Sequence, residues 1–200
     1  MKELIKSFDN QKVIRDNGYS YMLIPITDHF PATSTTILRQ AVNAICDCIN
    51  WNGKNSINKV VGEEEKGGFI AVSVALQRDL PFSLAKQFPV NIPGEIHIEF
   101  KMDYAENMSL YLNGVEKGDN VIIVDDIIAT GGTMIALIKA IKKAGANIKD
   151  VIALAEKVEM EGAKIIEDET GIKPKSVLKL DTSSKRSKVV GTIFDKPRKE

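Results

Sequence analysis

The chain has 200 residues, of which 44% are hydrophobic, and this length suits one globular domain whose core needs neither disulfides nor structural metals. Lys and Arg together number 27, as do Asp and Glu, so a net charge of zero excludes a general attraction to nucleic acid. Affinity for a polyanionic ligand must therefore come from a local arrangement of backbone amides and a few cations.

The cysteines and the distribution of apolar residues indicate in which cellular compartment we expect the protein. Cys46 and Cys48 have no second Cys or His pair to complete a metal site, so we expect buried or half-buried thiols. The first residues carry charges where a secretory signal needs a continuous apolar core, and no stretch approaches the roughly 18 apolar residues of a membrane span. We expect a cytoplasmic protein that binds neither membranes nor nucleic acid.

Apolar runs of strand length alternate with helix-period segments from about residue 57 to residue 180. This alternation is typical of a parallel α/β sheet whose strands are buried on both faces. Residues 1–34 form a mixed segment that contains a short predicted strand over 21–25. In chain order we then predict a helix over 35–49, a strand over 58–61, a helix over 69–80, strands over 82–85 and 120–124, a helix over 133–144, a strand over 151–155, a helix over 159–169 and a strand over 176–180.

Two segments interrupt this rhythm. Residues 87–113 form a long excursion between two core strands, and excursions of that length inside a compact α/β unit are usually functional lids. We predict a flexible flap there. The tail over 182–200 is basic and less regular, and we expect a partly mobile terminus.

The most informative segment starts with four apolar residues, 121–124, that bring the chain to the carboxyl edge of the predicted sheet, where open α/β sheets bind ligands. Asp125 and Asp126 follow directly. Adjacent acids repel each other, so something polyhydroxylated or cationic should lie against them in the working protein. Ribose hydroxyls meet that requirement.

A tight turn follows the two acids and opens onto the predicted helix; it consists of Ala129, Thr130, Gly131, Gly132 and Thr133. Its backbone N–H groups converge where the helix dipole is positive, which suits a phosphate. The alternative is a plain glycine turn with two solvated acids at its mouth. The order of strand, acids, turn and helix favours a ribose 5-phosphate site over that alternative, and the pattern is not a Walker A loop.

This segment resembles the signature of type I phosphoribosyltransferases, and V-D-D-x-x-A-T-G-G-T-M is most similar to adenine phosphoribosyltransferases. Upstream, the run Glu64, Glu65, Lys66 and Gly67 resembles the family's pyrophosphate loop, with Lys66 in place of the usual Arg. Taken alone, that run is equally compatible with a solvated charge cluster. Lys86 stands where the family places a basic residue that also reaches pyrophosphate.

The resemblance extends to the predicted flap. Residues 92–95, Phe100, Asp103 and Tyr104 are similar to the family's flexible catalytic loop, with Asp103 in place of the usual Glu. Asp103 and Tyr104 are the catalytic residues that the resemblance implies. Residues 110–119 and 21–32 also resemble archaeal hypoxanthine phosphoribosyltransferases, so the likeness covers about residues 20–180.

What the resemblance implies about architecture is a single domain over 1–200 with the type I phosphoribosyltransferase fold, an α/β fold with a central, mostly parallel sheet flanked by helices. A small hood would come from residues 1–34 and from the segment after 155. The purine would lie between this hood and the sheet edge, where the candidate contacts are Leu23, Ile24, Pro25, Glu156, Lys157 and Val158.

The implied activity is that of a pentosyltransferase of purine salvage, in which adenine and 5-phosphoribosyl-1-pyrophosphate (PRPP) give AMP and pyrophosphate. Hypoxanthine or guanine as the base, or a regulator that senses PRPP without catalysis, are the alternatives. Mg²⁺ would be carried by the substrate's pyrophosphate and ribose, with no dedicated protein ligand. The family resemblance also implies a homodimer.

Overall fold

The computed structural model describes residues 1–16, 19–52, 56–102 and 105–195. The helices and strands of these residues are, in chain order, α1 (Lys2–Phe8), β1 (Val13–Asp16), β2 (Tyr19–Met22), α2 (Pro25–Asp28), α3 (Thr35–Asp47), β3 (Lys59–Glu63), α4 (Gly68–Arg78), β4 (Phe82–Ala85), β5 (Ile96–Met102), β6 (Ala105–Leu112), β7 (Asn120–Ile128), α5 (Gly132–Ala144), β8 (Asn147–Lys157), α6 (Gly162–Thr170), β9 (Lys175–Asp181) and β10 (Lys188–Thr192).

In the described part of the chain, the central sheet has six strands in the order β10-β9-β8-β7-β3-β4. All neighbouring pairs are parallel except β10 with β9, which is antiparallel. Two short antiparallel pairs, β1 with β2 and β5 with β6, lie outside this sheet. The predicted α/β architecture with a mostly parallel sheet flanked by helices is confirmed.

Strand β7 shows why the core strands read as continuous apolar runs. Ile122 and Val124 pack with α3 and α4 on one face, whereas Val121 and Ile123 pack with α5 on the other, and all four are fully buried. Burial on both faces removes the polar alternation of a half-exposed strand. The core on the first face also buries Cys46, and Cys48 is half-buried.

Helix α5 follows β7 and is specified locally. Met134, Leu137, Ile138 and Ile141 form its buried stripe, which packs against the sheet. The helix ends at Gly145, whose φ of 79° is a left-handed conformation that costs glycine little. Basic side chains occupy its last turn, where they complement the helix dipole.

Both ends of the chain differ from the sequence prediction. The strand expected from Tyr21 stops at Met22, because Pro25 begins α2 and its fixed φ suits a first helical position. The tail is more regular than expected up to residue 195: β10 pairs with β9, and the Ser187 hydroxyl donates to the Phe8 carbonyl at 2.7 Å. These contacts tie the carboxyl-terminal segment to α1.

The predicted flap contains the hairpin β5–β6, and hydrogen bonds attach both of its strands to the body. The backbone of Lys86, just after β4, exchanges two hydrogen bonds of 2.8 Å with Tyr111. Lys143 of α5 donates to the carbonyl of His97 at 3.2 Å, and the His97 ring stacks on Tyr111 at 4.5 Å. Within the described ranges, no helix combines the length and apolar character that crossing a membrane requires.

The topology places a ligand site between β3 and β7. These strands are parallel neighbours, but β3 leads through α4 to β4 on one side while β7 leads through α5 to β8 on the other. The two helices cover opposite faces of the sheet. Chains that leave adjacent strands in opposite directions open a crevice at the carboxyl edge, which is where open α/β sheets bind their ligands.

Candidate active site

A cavity of about 420 Å³ opens at this crevice. Its size lies within the range of small-molecule sites. It brings together many of the side chains predicted from sequence; those on its wall are Ile24, Glu65, Lys66, Lys86, Asp125, Asp126, Ala129, Thr130, Gly131, Gly132, Thr133 and Lys157.

Other predicted residues lie beside the cavity. Glu64 is ion-paired with Lys86 at 3.4 Å, and Gly67 is buried behind the wall, where a Cβ would overlap the carboxylate of Asp125. Glu156 is buried and paired with Lys179 at 3.1 Å. Leu23, Pro25 and Val158 do not line the wall either. Asp103 and Tyr104 lie outside the described residues.

The turn over 129–133 has the geometry of an anion site. Gly131 precedes α5 with φ of 89°, and no side chain of the described residues caps this helix. The N–H groups of the first helical turn have no partner within the helix, so they remain available at its positive end. The turn is held from behind by α6, since a Cβ on Gly131 would lie 2.8 Å from Ile166 and 3.0 Å from the Gly162 carbonyl.

Asp125 and Asp126 lie within the carboxyl-terminal half of β7 and are both buried, at 6% and 5% exposure. Each carboxylate accepts a hydrogen bond from the backbone N–H of the next residue, at 2.9 and 2.8 Å. Burial, and the neighbouring carboxylate in the case of Asp125, raise the pKa of both side chains. The second oxygen of Asp126 has no hydrogen-bond partner among the described residues, so the pair is suited to a hydroxylated or cationic ligand.

Glu63, the last residue of β3, brings a third acid to the same wall. One of its carboxylate oxygens accepts the Glu65 N–H at 3.0 Å, and the other is buried without a partner in the described part of the protein. Burial first, and then the charges of Glu65 and Asp126, raise the pKa of Glu63 to about 7. The cavity wall therefore carries three acids whose charged forms the surrounding protein stabilises poorly.

Lys66 is a cation on the same cavity wall that the sequence singled out. Its ammonium pairs with Asp28 of α2 at 2.7 Å and lies 4.9 Å from the centre of the Tyr21 ring. The Lys66 charge lowers the pKa of Asp126, which opposes the effect of burial there. Lys66 thus connects the amino-terminal segment to the acid pair.

The rest of the wall is suited to a flat apolar ring. Tyr21, Met22 and Ile24 come from the amino-terminal segment, and Phe100 and Leu110 come from the hairpin. Lys157, at the end of β8, lines the same cavity with a side chain that is only 4% exposed. A buried ammonium can donate hydrogen bonds but cannot accept them.

Sequence reasoning did not identify Glu63, Tyr21 or Asp28 as site residues. A signal existed for Glu63, because it ends a core strand at the ligand edge directly before the predicted pyrophosphate loop. No local signal existed for Tyr21 or Asp28. Their contacts with Lys66 depend on how residues 19–28 fold over the sheet.

We predict that Glu63→Gln makes the stability of the free protein less dependent on pH. The raised pKa means that the folded protein binds a proton that the unfolded chain releases near pH 4.5, so unfolding free energy decreases as pH rises from about 4.5 through about 7. The loss amounts to at most about 3 kcal/mol. Thermal unfolding between pH 4.5 and 8 measures it.

The matched control is Glu99→Gln, which neutralises an exposed acid on β5. This variant should follow the wild-type pH dependence. If Glu63→Gln also follows the wild-type curve, the Glu63 carboxyl does not hold its proton as inferred.

Comparison with known proteins adds to this geometry. A model of the phosphoribosyl transferase domain matches residues 34–177. The hypoxanthine/guanine phosphoribosyltransferase of Methanocaldococcus vulcanius is 38% identical over 181 residues, which cover 90% of this chain and 94% of that protein.

Two solved structures are similar in fold, both with a TM-score of 0.71. The adenine phosphoribosyltransferase from Thermoanaerobacter pseudethanolicus is 22% identical, with 90% of this chain and 99% of that chain covered. The adenine phosphoribosyltransferase from Rhodothermus marinus is 25% identical, with 89% and 97% covered. The sequence relative and the solved structures therefore differ in the purine that their names state.

Proposed function

The chain belongs to the phosphoribosyltransferase family, and from that membership we propose that it transfers the phosphoribosyl group of PRPP to hypoxanthine or guanine, with release of pyrophosphate. The observation that carries the proposal is the meeting of the acid pair 125–126, the turn 129–133 and Lys157 on one cavity wall. The first two suit the sugar phosphate, and the third suits a 6-oxopurine.

The sugar phosphate would bind along the end of β7. Asp125 and Asp126 would accept hydrogen bonds from the ribose hydroxyls, and the amides of residues 129–133 would bind the 5-phosphate. On the opposite side of the crevice Lys66 and Lys86 would contact the pyrophosphate, together with the loop that contains Glu64, Glu65 and Gly67.

Lys157 supports a 6-oxopurine over adenine. The 6-oxo oxygen of hypoxanthine or guanine accepts hydrogen bonds, as a donor-only ammonium requires, whereas the 6-amino group of adenine donates them. The relative named a hypoxanthine/guanine enzyme, at 38% identity, agrees with this reasoning. The adenine specificity predicted from the motif is not confirmed and remains the second candidate, since the similar solved structures carry that name.

In the proposed reaction a ring nitrogen of the purine forms the bond to C1 of the sugar as the bond to pyrophosphate breaks. Positive charge develops on the ribose, and the buried carboxylates 125 and 126 stabilise it. The cations Lys66 and Lys86 stabilise the departing pyrophosphate, and the hairpin β5–β6 would exclude water when it closes. Asp103 and Tyr104 stay the proposed catalytic residues, with Asp103 assisting loss of the proton from the purine.

The wall also fits a substrate-borne Mg²⁺. The unpartnered oxygen of Asp126 is a hard ligand of the kind that this ion prefers. When bound with PRPP, Mg²⁺ would neutralise negative charge on the pyrophosphate. Asp125 and Asp126 would hold it through the ribose hydroxyls or water. The homodimer and the cytoplasmic location stay predictions.

Incubation of the purified protein with PRPP, Mg²⁺ and each of adenine, hypoxanthine, guanine and xanthine tests the proposal. We expect IMP and GMP with kcat/KM at least about 100-fold above that for adenine, because a site built for an acceptor rejects the donor analogue. Lys157→Met should reduce this preference to about tenfold or less. Chromatography of the nucleotide products measures both.

The control Lys149→Met removes a lysine at the exposed, opposite end of the same strand and should leave the preference unchanged. AMP as the main product would establish the adenine enzyme instead. Binding of PRPP without transfer to any base would indicate a sensing regulator.

A further inference from the structure

An ion pair connects the amino-terminal segment to the proposed pyrophosphate loop. Asp28, the last residue of α2, contacts the ammonium of Lys66 at 2.7 Å. The same ammonium lies over the ring of Tyr21, 4.9 Å from its centre. Because Lys66 and Tyr21 both line the cavity, this cluster lies at the site and is not a remote surface contact.

Asp28 is the fixed member of the pair. Its second carboxylate oxygen accepts the backbone N–H of Ile24 at 2.6 Å, and its side chain is only 12% exposed, against 39% for Lys66. Burial alone would raise the pKa of Asp28, but the hydrogen bonds from Lys66 and from the Ile24 amide outweigh it and lower the pKa. The carboxylate therefore stays charged at neutral pH and holds one orientation.

Lys66 is the member that needs an anchor. Its ammonium is a compact charge at the end of four rotatable methylene groups, and it lacks the rigid fork of an arginine. Holding such a side chain in one geometry costs rotamer entropy. If Lys66 is already held before the ligand arrives, binding of the ligand does not have to include this cost. The ammonium has three donors, so its hydrogen bond to Asp28 does not use all of them.

We propose that Asp28 is a positioning residue, which holds the Lys66 ammonium over the Tyr21 ring and presents it to the pyrophosphate of PRPP. The inference rests on the proposed function, because it takes PRPP as the substrate. Asp28 itself does not touch the reacting atoms. Asp28 orients the Lys66 ammonium before PRPP binds.

A double-mutant cycle with Asp28→Asn and Lys66→Met tests this role. Asparagine keeps the shape of Asp28 and can still accept the Ile24 N–H, but it loses the charge that orients Lys66. We expect Asp28→Asn to raise KM for PRPP about tenfold with less than about a threefold change in kcat. In the Lys66→Met background the same substitution should change KM less than about twofold.

Asp150→Asn is the matched control. Asp150 pairs with Lys175 at 2.6 Å with side-chain exposures of 13% and 38%, nearly the same as those of Asp28 and Lys66, but it lies in the amino-terminal half of β8. This substitution should leave KM for PRPP unchanged. An equal effect of Asp28→Asn with and without Lys66 would show a purely structural role and overturn the proposal. An unchanged or lower KM in Asp28→Asn would also overturn it.

Calorimetric titration with PRPP and Mg²⁺ separates this inference from the proposed function. If the protein binds PRPP and the affinity falls about tenfold in Asp28→Asn, the positioning role holds even if no purine is converted. If every purine fails as a substrate, the proposed function is refuted. If transfer occurs and the PRPP affinity of Asp28→Asn equals that of the wild type, the positioning role alone is refuted.

Discussion

The double variant Asp125→Asn, Asp126→Asn is expected to lose phosphoribosyl transfer by about a thousandfold while it remains folded. The two carboxylates would accept hydrogen bonds from the ribose hydroxyls, and each such charge-assisted bond contributes about 1.5 to 3 kcal/mol. Loss of two of them, together with the negative charge that stabilises the sugar cation, accounts for the expected effect. The measurement is kcat/KM for PRPP with a saturating purine.

The same double variant should lose activity without losing folding stability. The pKa of both carboxyls is raised in the folded protein, mainly by burial, so at pH 8 their charges oppose folding. Asparagine keeps an oxygen for the hydrogen bonds from the next backbone N–H. Thermal unfolding at pH 8 should therefore show a variant that is at least as stable as the wild type, which separates lost chemistry from lost structure.

The control for this variant is Glu167→Gln with Asp168→Asn, an adjacent pair of exposed acids on α6. It removes the same two charges away from the cavity and should leave transfer near the wild-type rate. Near-normal turnover in a folded Asp125→Asn, Asp126→Asn protein would refute the role of these acids in binding ribose.

Gly131→Ala is expected to raise KM for PRPP by at least about 100-fold and to destabilise the protein by about 2 to 4 kcal/mol. Gly131 has φ of 89°, which alanine adopts only with strain. The added Cβ would also lie 2.8 Å from the side chain of Ile166, so the turn must move away from α6. Movement of the turn displaces the amides that would bind the 5-phosphate.

Gly171→Ala is the control that separates the effect of backbone strain from the effect of moving the turn 129–133. Gly171 ends α6 with φ of 73°, and a Cβ there would meet no atom of the described residues within 4 Å. This variant should lose about 1 kcal/mol of stability and keep the wild-type KM. PRPP titration and chemical denaturation measure both effects. A normal KM in Gly131→Ala, or an equal rise in Gly171→Ala, would contradict the phosphate role of the turn.

The unit from β7 to α5 could be predicted because its determinants are local. The apolar strand, the acid pair, the glycine turn and the stripe of α5 lie within 25 residues, and each is specified by its own neighbours in the chain. Lys86 and the loop 64–67 were predicted from the family resemblance instead, and the structure places them at the cavity or beside it, because parallel strands end at one edge of a sheet. The family followed from these segments.

Prediction was weaker where the determinants are distant in sequence. The order of β10 beside β9 depends on pairing between residues 181 and 188 and on contacts of Ser187 with α1, almost the whole chain away. A basic, irregular sequence contains no sign of such pairing, since edge strands carry weak hydrophobic patterns. The choice of purine is equally hard to predict from sequence, because the cavity wall that includes Lys157 is assembled from segments that lie far apart in the chain.

The sequence by itself determined the five parallel strands of the sheet with their helices, the acid pair and the glycine turn, because short-range periodicity and turn chemistry encode them. The tertiary structure alone decided that Asp28 meets Lys66, that Tyr21 lies under the same ammonium, and that one carboxylate oxygen of Glu63 is buried near two other acids. These are properties of distance and solvation between residues far apart in the chain. Burial changes the charge of a carboxyl and an ion pair orients a lysine only after the fold has brought them together.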